Sequence, residues 1–128
     1  MKTILVDAVY TLVSEHGVLF VELYDLLETF PNKKVIVTNA PLEKFSQYGL
    51  DDAPYDVFTL SKNPAKTNPE YFKKLLQEKN LSISDVIYFE HSREACESAQ
   101  SVGIKTHHYD SAKKDLVALK KFLDENLL

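Results

Sequence analysis

The sequence predicts an α/β fold, a three-layer Rossmann-like domain built around a five-stranded parallel sheet. Two observations lead there. Short apolar runs rich in β-branched residues alternate with longer segments of helical period, the pattern left by parallel strands joined through crossover helices. The chain has 128 residues, 45% of them hydrophobic, which suits one domain, 1–128, able to bury a core without disulfides or metals.

The elements follow in order. Thr3 to Asp7 is an apolar strand that closes on a carboxylate. Val18 to Phe30 reads as a helix, with Val18, Val21, Leu26 and Phe30 toward the core and Glu22, Asp25 and Glu28 toward water. Lys34 to Thr38 is the second strand. Pro41 opens a further helix, where a missing N–H does no harm, and Gly49 ends it in a left-handed cap. Tyr55 to Leu60 is the third strand. The next helix takes Asn68 as N-cap and Pro69 in its first turn, with Phe72, Leu75 and Leu76 on one face. Val86 to Phe89 is the fourth strand, and Ser92 caps a helix that reaches Val102 and stops at Gly103. Lys105 to Tyr109 is the fifth. Ser111 caps a C-terminal helix carrying Leu116, Leu119, Phe122 and Leu123.

Composition narrows the function classes. A net charge of -4 from 19 acidic and 15 basic residues, scattered along the chain, provides no basic stripe for nucleic acid. Cys96 is the only cysteine, so it reads as a packing thiol in a reducing compartment. The apolar start is interrupted by Asp7 and no small-residue cleavage site follows, which predicts a cytoplasmic protein. No apolar run approaches the roughly 20 residues of a membrane span.

In a parallel sheet the ligand crevice lies at the carboxyl ends of the strands. Strand one ends at Asp7, strand two at Thr38 and Asn39, the loop after strand three carries Lys66, and strand four runs into Glu90, His91 and Ser92. A carboxylate, a hydroxyl with an amide, and a lysine are the groups of a phosphoryl-transfer pocket: a nucleophile, donors for phosphate oxygens, and a cation against developing charge.

Four segments in this order carry a more specific likeness: "DAVYTL" from Asp7, "VIVTN" through Thr38, "KTNPEYF" from Lys66, and "EHSREACESAQSVG" from Glu90. Together they resemble the haloacid dehalogenase (HAD) superfamily, most of whose members are phosphatases with an aspartyl-phosphate intermediate. The family's first motif is D-x-D-G-T-L. Asp7, Thr11 and Leu12 match it, while the second aspartate is Val9 and the glycine is Tyr10. Thr38 matches the Ser/Thr of the second motif, and Lys66 the lysine of the third. The fourth, G-D-S-x-x-D, keeps Ser92 but has His91 and Ala95 at its two acidic positions. The likeness runs from Ile4 to about Tyr109 and implies a HAD-like fold. Neither interval where the family inserts a cap has room for one, so the expected domain is capless.

The resemblance assigns Asp7, Thr38 and Lys66 to the catalytic positions, with Thr11, Asn39 and His91 as substrate-binding candidates. Asp7 also reads as a plain strand-end carboxylate, Thr38 as a strand-closing hydroxyl, Asn39 as a helix cap and His91 as a half-exposed residue at a helix start. The departures imply lost chemistry. The family's second aspartate protonates the leaving group and activates water, neither of which Val9 does; a positioned acid or base contributes about 10²- to 10⁴-fold. Magnesium prefers hard oxygen ligands in near-octahedral geometry, and imidazole suits zinc, copper or nickel better. The expectation is therefore a degenerate HAD-like protein with no metal cofactor, impaired as a phosphatase, that binds a phosphate, phosphorylated small molecule or protein partner. The alternative is an active phosphohydrolase with Asp7 as nucleophile, Mg²⁺ as cofactor and atypical acid–base groups. A homodimer is compatible with the missing cap, and Tyr10, in place of glycine beside Asp7, is expected either to plug the pocket or to offer a contact surface.

Overall fold

A computed structural model describes residues 1–127. Five strands, β1 (Thr3–Asp7), β2 (Lys34–Thr38), β3 (Asp56–Thr59), β4 (Val86–Glu90) and β5 (Lys105–His108), alternate with helices α1 (Val21–Glu28), α2 (Glu70–Lys79), α3 (Arg93–Val102) and α4 (Leu116–Asn126). All strand pairs are parallel, in the order β3-β2-β1-β4-β5. This is the three-layer Rossmann-like architecture the sequence predicts.

Every residue of β1, β2 and β4 is buried, as strands covered on both faces must be. Alternation along each strand sends successive side chains to opposite layers. Ile4, Val6, Ile36, Ile87 and Phe89 pack with Leu23 and Leu27 of α1 and Leu119 and Leu123 of α4. Leu5, Val35, Val37 and Tyr88 pack with Tyr71, Phe72 and Leu75 of α2 and Ala99 of α3. From β1 the chain crosses to β2 on one side and later returns to β4 on the other. The carboxyl end of β1 is therefore the switch point where a crevice opens.

Local differences from the sequence expectation have identifiable causes. Helix α1 begins at Val21 rather than Val18, because residues 8–20 are spent on a tight reversal. In it the Ala8 carbonyl accepts from Thr11, Leu12 and Val13 N–H, and Phe20 N–H bonds Leu12 O at 2.8 Å. Val18 and Val21 are consequently exposed and Leu23 and Leu27 form the buried face. The helix expected from Pro41 to Gly49 is a single 3₁₀ turn, Leu42–Lys44, followed by irregular turns. Gly49 is left-handed (φ 68°), but for a close approach: a Cβ there would lie 2.8 Å from Gly17 O.

Strand β3 is shorter at both ends than Tyr55 to Leu60, and β5 stops at His108, the last residue paired with β4, although Tyr109 N–H still bonds Glu90 O at 2.8 Å. Strand β4 runs one residue further than expected, to Glu90. Helix α2 starts at Glu70, yet Asn68 still serves its start by accepting from Glu70 N–H at 3.0 Å. Ser92 caps α3 through Ala95 N–H, and Gly103 ends it at φ 103°, both as expected.

The cap of α4 is Asp115, not Ser111. Asp115 Oδ1 accepts from Ala118 N–H at 3.0 Å, while residues 110–114 form a separate turn in which Asp110 Oδ1 accepts from Ala112 and Lys113. Asp115→Ala is expected to lower stability by about 1 kcal/mol and Ser111→Ala by less than about 0.5 kcal/mol. Urea unfolding of the two variants checks this; equal losses would refute it. Among the described residues no domain is inserted between the strands, and no helix is long and apolar enough to cross a membrane.

Candidate functional site

Asp7 ends β1, Thr38 ends β2 and Glu90 ends β4, so the three stand at adjacent strand ends around the switch point. His91 and Ser92 follow at the start of α3. Lys66 comes from the loop before α2, held there by its own N–H on Asn39 Oδ1 at 2.8 Å. Asn39 is thus a tether for this loop rather than a helix cap. A cavity of about 420 Å³ opens over these groups, with Tyr10, Lys44, Tyr48 and Lys62 completing its wall.

The centre is a buried ionic cluster. Lys66 Nζ donates to Asp7 Oδ1 at 2.8 Å and to Glu90 Oε1 at 2.7 Å. Asp7 Oδ2 accepts from Thr11 Oγ1 at 2.6 Å, from the His91 backbone N–H at 3.3 Å, and meets the His91 ring at Nδ1. His91 Nδ1 also lies 3.1 Å from Glu90 Oε2, which accepts from Ser92 N–H at 3.0 Å. The Tyr88 hydroxyl donates to Glu90 Oε1. Asp7, Glu90 and Lys66 are buried, while the His91 side chain keeps 28% exposure.

These contacts set the charge states. Burial alone would raise the Asp7 pKa, but the Lys66 charge and the His91 hydrogen bond outweigh it and hold the carboxyl well below its usual range. Burial likewise works against Lys66, and Asp7 and Glu90 reverse that, raising its pKa. Hydrogen bonds to Asp7 and Glu90 lift His91 from 6.5 to about 10, so the ring is an imidazolium at neutral pH. Two carboxylates are matched by two protein cations, the condition on which buried charges are tolerable.

All six candidate site residues converge here. Thr38 is fixed from both sides of its peptide: Tyr71 Oη accepts from Thr38 N–H at 3.1 Å and donates to Thr38 O at 2.9 Å. Thr38 Oγ1 accepts from Ala40 N–H at 3.1 Å, so its own proton remains available to a ligand. Tyr10 does not plug the pocket. It is 54% exposed in a left-handed conformation (φ 72°), with its ring centroid 5.5 Å from that of His91 in a T-shaped arrangement and its hydroxyl on Glu15 at 3.1 Å.

Glu90, with Tyr88 and Tyr71 behind it, is missing from the sequence-derived set. Asp7 is therefore not a lone carboxylate. The signal was in the sequence: "IYFE" closes β4 on an acid as "ILVD" closes β1. Cys96 is buried, and burial pushes its thiol up to about 12, in keeping with a packing role.

The magnesium that the resemblance implies can be tested on this donor set. Asp7 Oδ1 and Glu90 Oε1 both serve Lys66, and Asp7 Oδ2 and Glu90 Oε2 both face His91. Position 91 presents nitrogen and position 95 a methyl group. Mg²⁺ needs about six oxygens in octahedral array, and each carboxylate oxygen here already faces a cation. The residues present do not fit it.

Several solved structures share this architecture. A HAD-family enzyme of Bacteroides thetaiotaomicron, an aspartate-to-alanine mutant in complex with magnesium and inorganic phosphate, superposes with TM-score 0.65 at 13% identity, over 87% of this chain and 95% of that one. A HAD-superfamily hydrolase of subfamily IA from Geobacter sulfurreducens gives TM-score 0.68 at 11% identity, over 94% and 96%. A hydrolase from Streptococcus pneumoniae TIGR4 gives 0.62 at 26% identity, over 86% of this chain and 59% of its own. No protein-family profile and no curated protein sequence matches the chain. The chain has the HAD-like fold, that of a superfamily of hydrolases.

Proposed function

We propose that this chain is a binding module for phosphate or a phosphorylated ligand, built on a hydrolase fold and no longer turning over phosphoesters through Asp7. One observation carries the reading: both oxygens of Asp7 are committed to donors of the protein itself. A carboxylate paired with an ammonium, an imidazolium, a hydroxyl and a backbone N–H is stabilised as an anion and poorly disposed to attack phosphorus. Val9 supplies no acid or base beside it, and the donor set does not fit the divalent ion that would offset transition-state charge.

The anion-binding half of the reading rests on surplus charge. His91 and Lys66 balance Asp7 and Glu90, and Lys44 and Lys62 line the same cavity without a carboxylate partner among the described residues. The Thr38 hydroxyl adds a neutral donor. A buried lone thiol suits the reducing cytoplasmic setting expected from the sequence.

Two measurements test this together. Inorganic phosphate added to isotope-labelled protein is expected to shift the amide signals of Thr38, Asn39 and Lys62, and Lys44→Ala/Lys62→Ala to weaken binding about tenfold. A generic phosphoester with added Mg²⁺, Mn²⁺ or Zn²⁺ is expected to show no turnover above background. The opposing reading, a phosphohydrolase with Asp7 as nucleophile and His91 as its acid, has the direct His91–Asp7 contact in its favour. Metal-dependent turnover abolished by Asp7→Asn would establish that reading and reject ours.

A further inference from the structure

The two carboxylates at the switch point share their oxygens in a regular way. Each gives one oxygen to Lys66, Asp7 Oδ1 at 2.8 Å and Glu90 Oε1 at 2.7 Å, and the other to His91 Nδ1, which meets Asp7 Oδ2 and lies 3.1 Å from Glu90 Oε2. Ligand atoms of Asp7, Glu90 and His91 lie within 4.8 Å of one another, close enough for one positive charge to serve both acids. We propose that His91 is the resident cation of this site, its ring standing between Asp7 and Glu90 where a divalent ion would bind, so that the protein neutralises its own carboxylates.

The surroundings hold the ring for this role. The His91 backbone N–H bonds Asp7 Oδ2, Ser92 N–H bonds Glu90 Oε2, and the His91 carbonyl accepts from His108 Nε2 at 2.8 Å, with that nitrogen protonated. The peptide on each side of His91 is thereby pinned against the acids its ring faces. The Tyr10 ring packs against the His91 ring in a T-shaped pair. A metal on Asp7 Oδ2 and Glu90 Oε2 would have to displace the Nδ1 proton, because it uses the same lone pairs. Ion and imidazolium are mutually exclusive, and Lys66 on the remaining oxygens disfavours a second dication further.

Removing the imidazole should convert the site. In His91→Asp the internal cation is replaced by an oxygen donor facing Asp7 and Glu90, giving a set that Mg²⁺ favours. In His91→Ala the two acids are left facing an empty position. Thermal melts and amide spectra of wild type and both variants, each with and without Mg²⁺ or Zn²⁺ in the millimolar range, provide the test. For the wild type, no metal-induced shift is expected at Asp7, Glu90 or His91. For His91→Asp, a tenfold excess of Mg²⁺ over its Kd should raise Tm by about 5 °C, or restore folding if the variant is unfolded without it. Binding of either ion to the wild type at these residues overturns the proposal, as does the absence of any metal-induced stabilisation in both variants. The phosphate titration is a separate readout, so loss of the binding-module reading and loss of this one are distinguishable.

Discussion

Lys66→Ala is expected to destabilise the protein by about 3–5 kcal/mol, a large part of the roughly 5–15 kcal/mol that holds a domain together. The Lys66 side chain is 7% exposed and bridges two carboxylates exposed 2% and 0%. Without the ammonium, Asp7 and Glu90 retain only the His91 cation between them, and Asp7 loses the charge that does most to lower its pKa. Removing one partner of a buried ion pair costs far more than the pair is worth, because the remaining charge has no water to fall back on. For 128 residues the loss corresponds to roughly 15 °C in melting temperature. Lys73→Ala, which removes an exposed pair with Glu70 at 3.1 Å, should fall within about 0.5 kcal/mol of wild type. Adding Asp7→Asn to Lys66→Ala should recover most of the loss, since Glu90 and His91 then remain as one matched pair. A Lys66→Ala loss below about 1 kcal/mol in urea unfolding would show that the cluster is not the ionic core described.

The second large effect is a fall in stability with alkali. His91 titrates near 6.5 in an unfolded chain and at about 10 in the folded one. A raised pKa means the folded state binds the proton more tightly. The contribution is complete below pH 6.5 and is lost as pH rises through 10. Hydrogen bonds to Asp7 and Glu90 at the strand ends produce it, with Lys66 on the other oxygens of those acids and the Tyr10 ring and the exposed His108 alongside. After allowance for solvent at the partly exposed ring, the loss between those limits should be on the order of 3 kcal/mol. Asp7 works in the opposite direction. Its folded pKa is depressed, so its contribution is present above 3.8 and declines as acid protonates it. Denaturant unfolding at a series of pH values should therefore show a plateau between about pH 4 and 6.5, with a decline above it that His91→Gln flattens. An imidazole that titrates near 6.5 in the folded protein by NMR would contradict this.

Much of the architecture was legible because it depends on pattern. Apolar runs of about five residues separated by amphipathic segments specify parallel strands with crossover helices, and Ser92 and Gly103 mark the ends of α3 by short-range backbone chemistry. The three misplaced helix starts share one cause. Val18, Pro41 and Ser111 are sound local helix signals, but they fall where the chain must reverse direction, and the tertiary path there selected turns over helix. The same distinction applies at the site. Asp7 and Thr38 could be placed from strand-end position, since each closes its own strand, and Lys66 from motif spacing, although its loop is tethered by Asn39 just past β2.

What the sequence alone determined is the succession of strands and helices, the type of fold, and that Asp7, Thr38, Lys66 and His91 arrive near the switch point. Only the tertiary structure decided how their charges are shared. Glu90 is one acid among 19 acidic residues in the chain, and nothing local marks it as the partner of Lys66. Whether His91 faces solvent, a ligand or Asp7 depends on the packing of α3 against β4 and β5, which brings together atoms 84 positions apart in the chain. Electrostatic pairing falls off with distance in space and is indifferent to distance along the chain. The balance of charge at the site became visible only once the strand ends were assembled side by side.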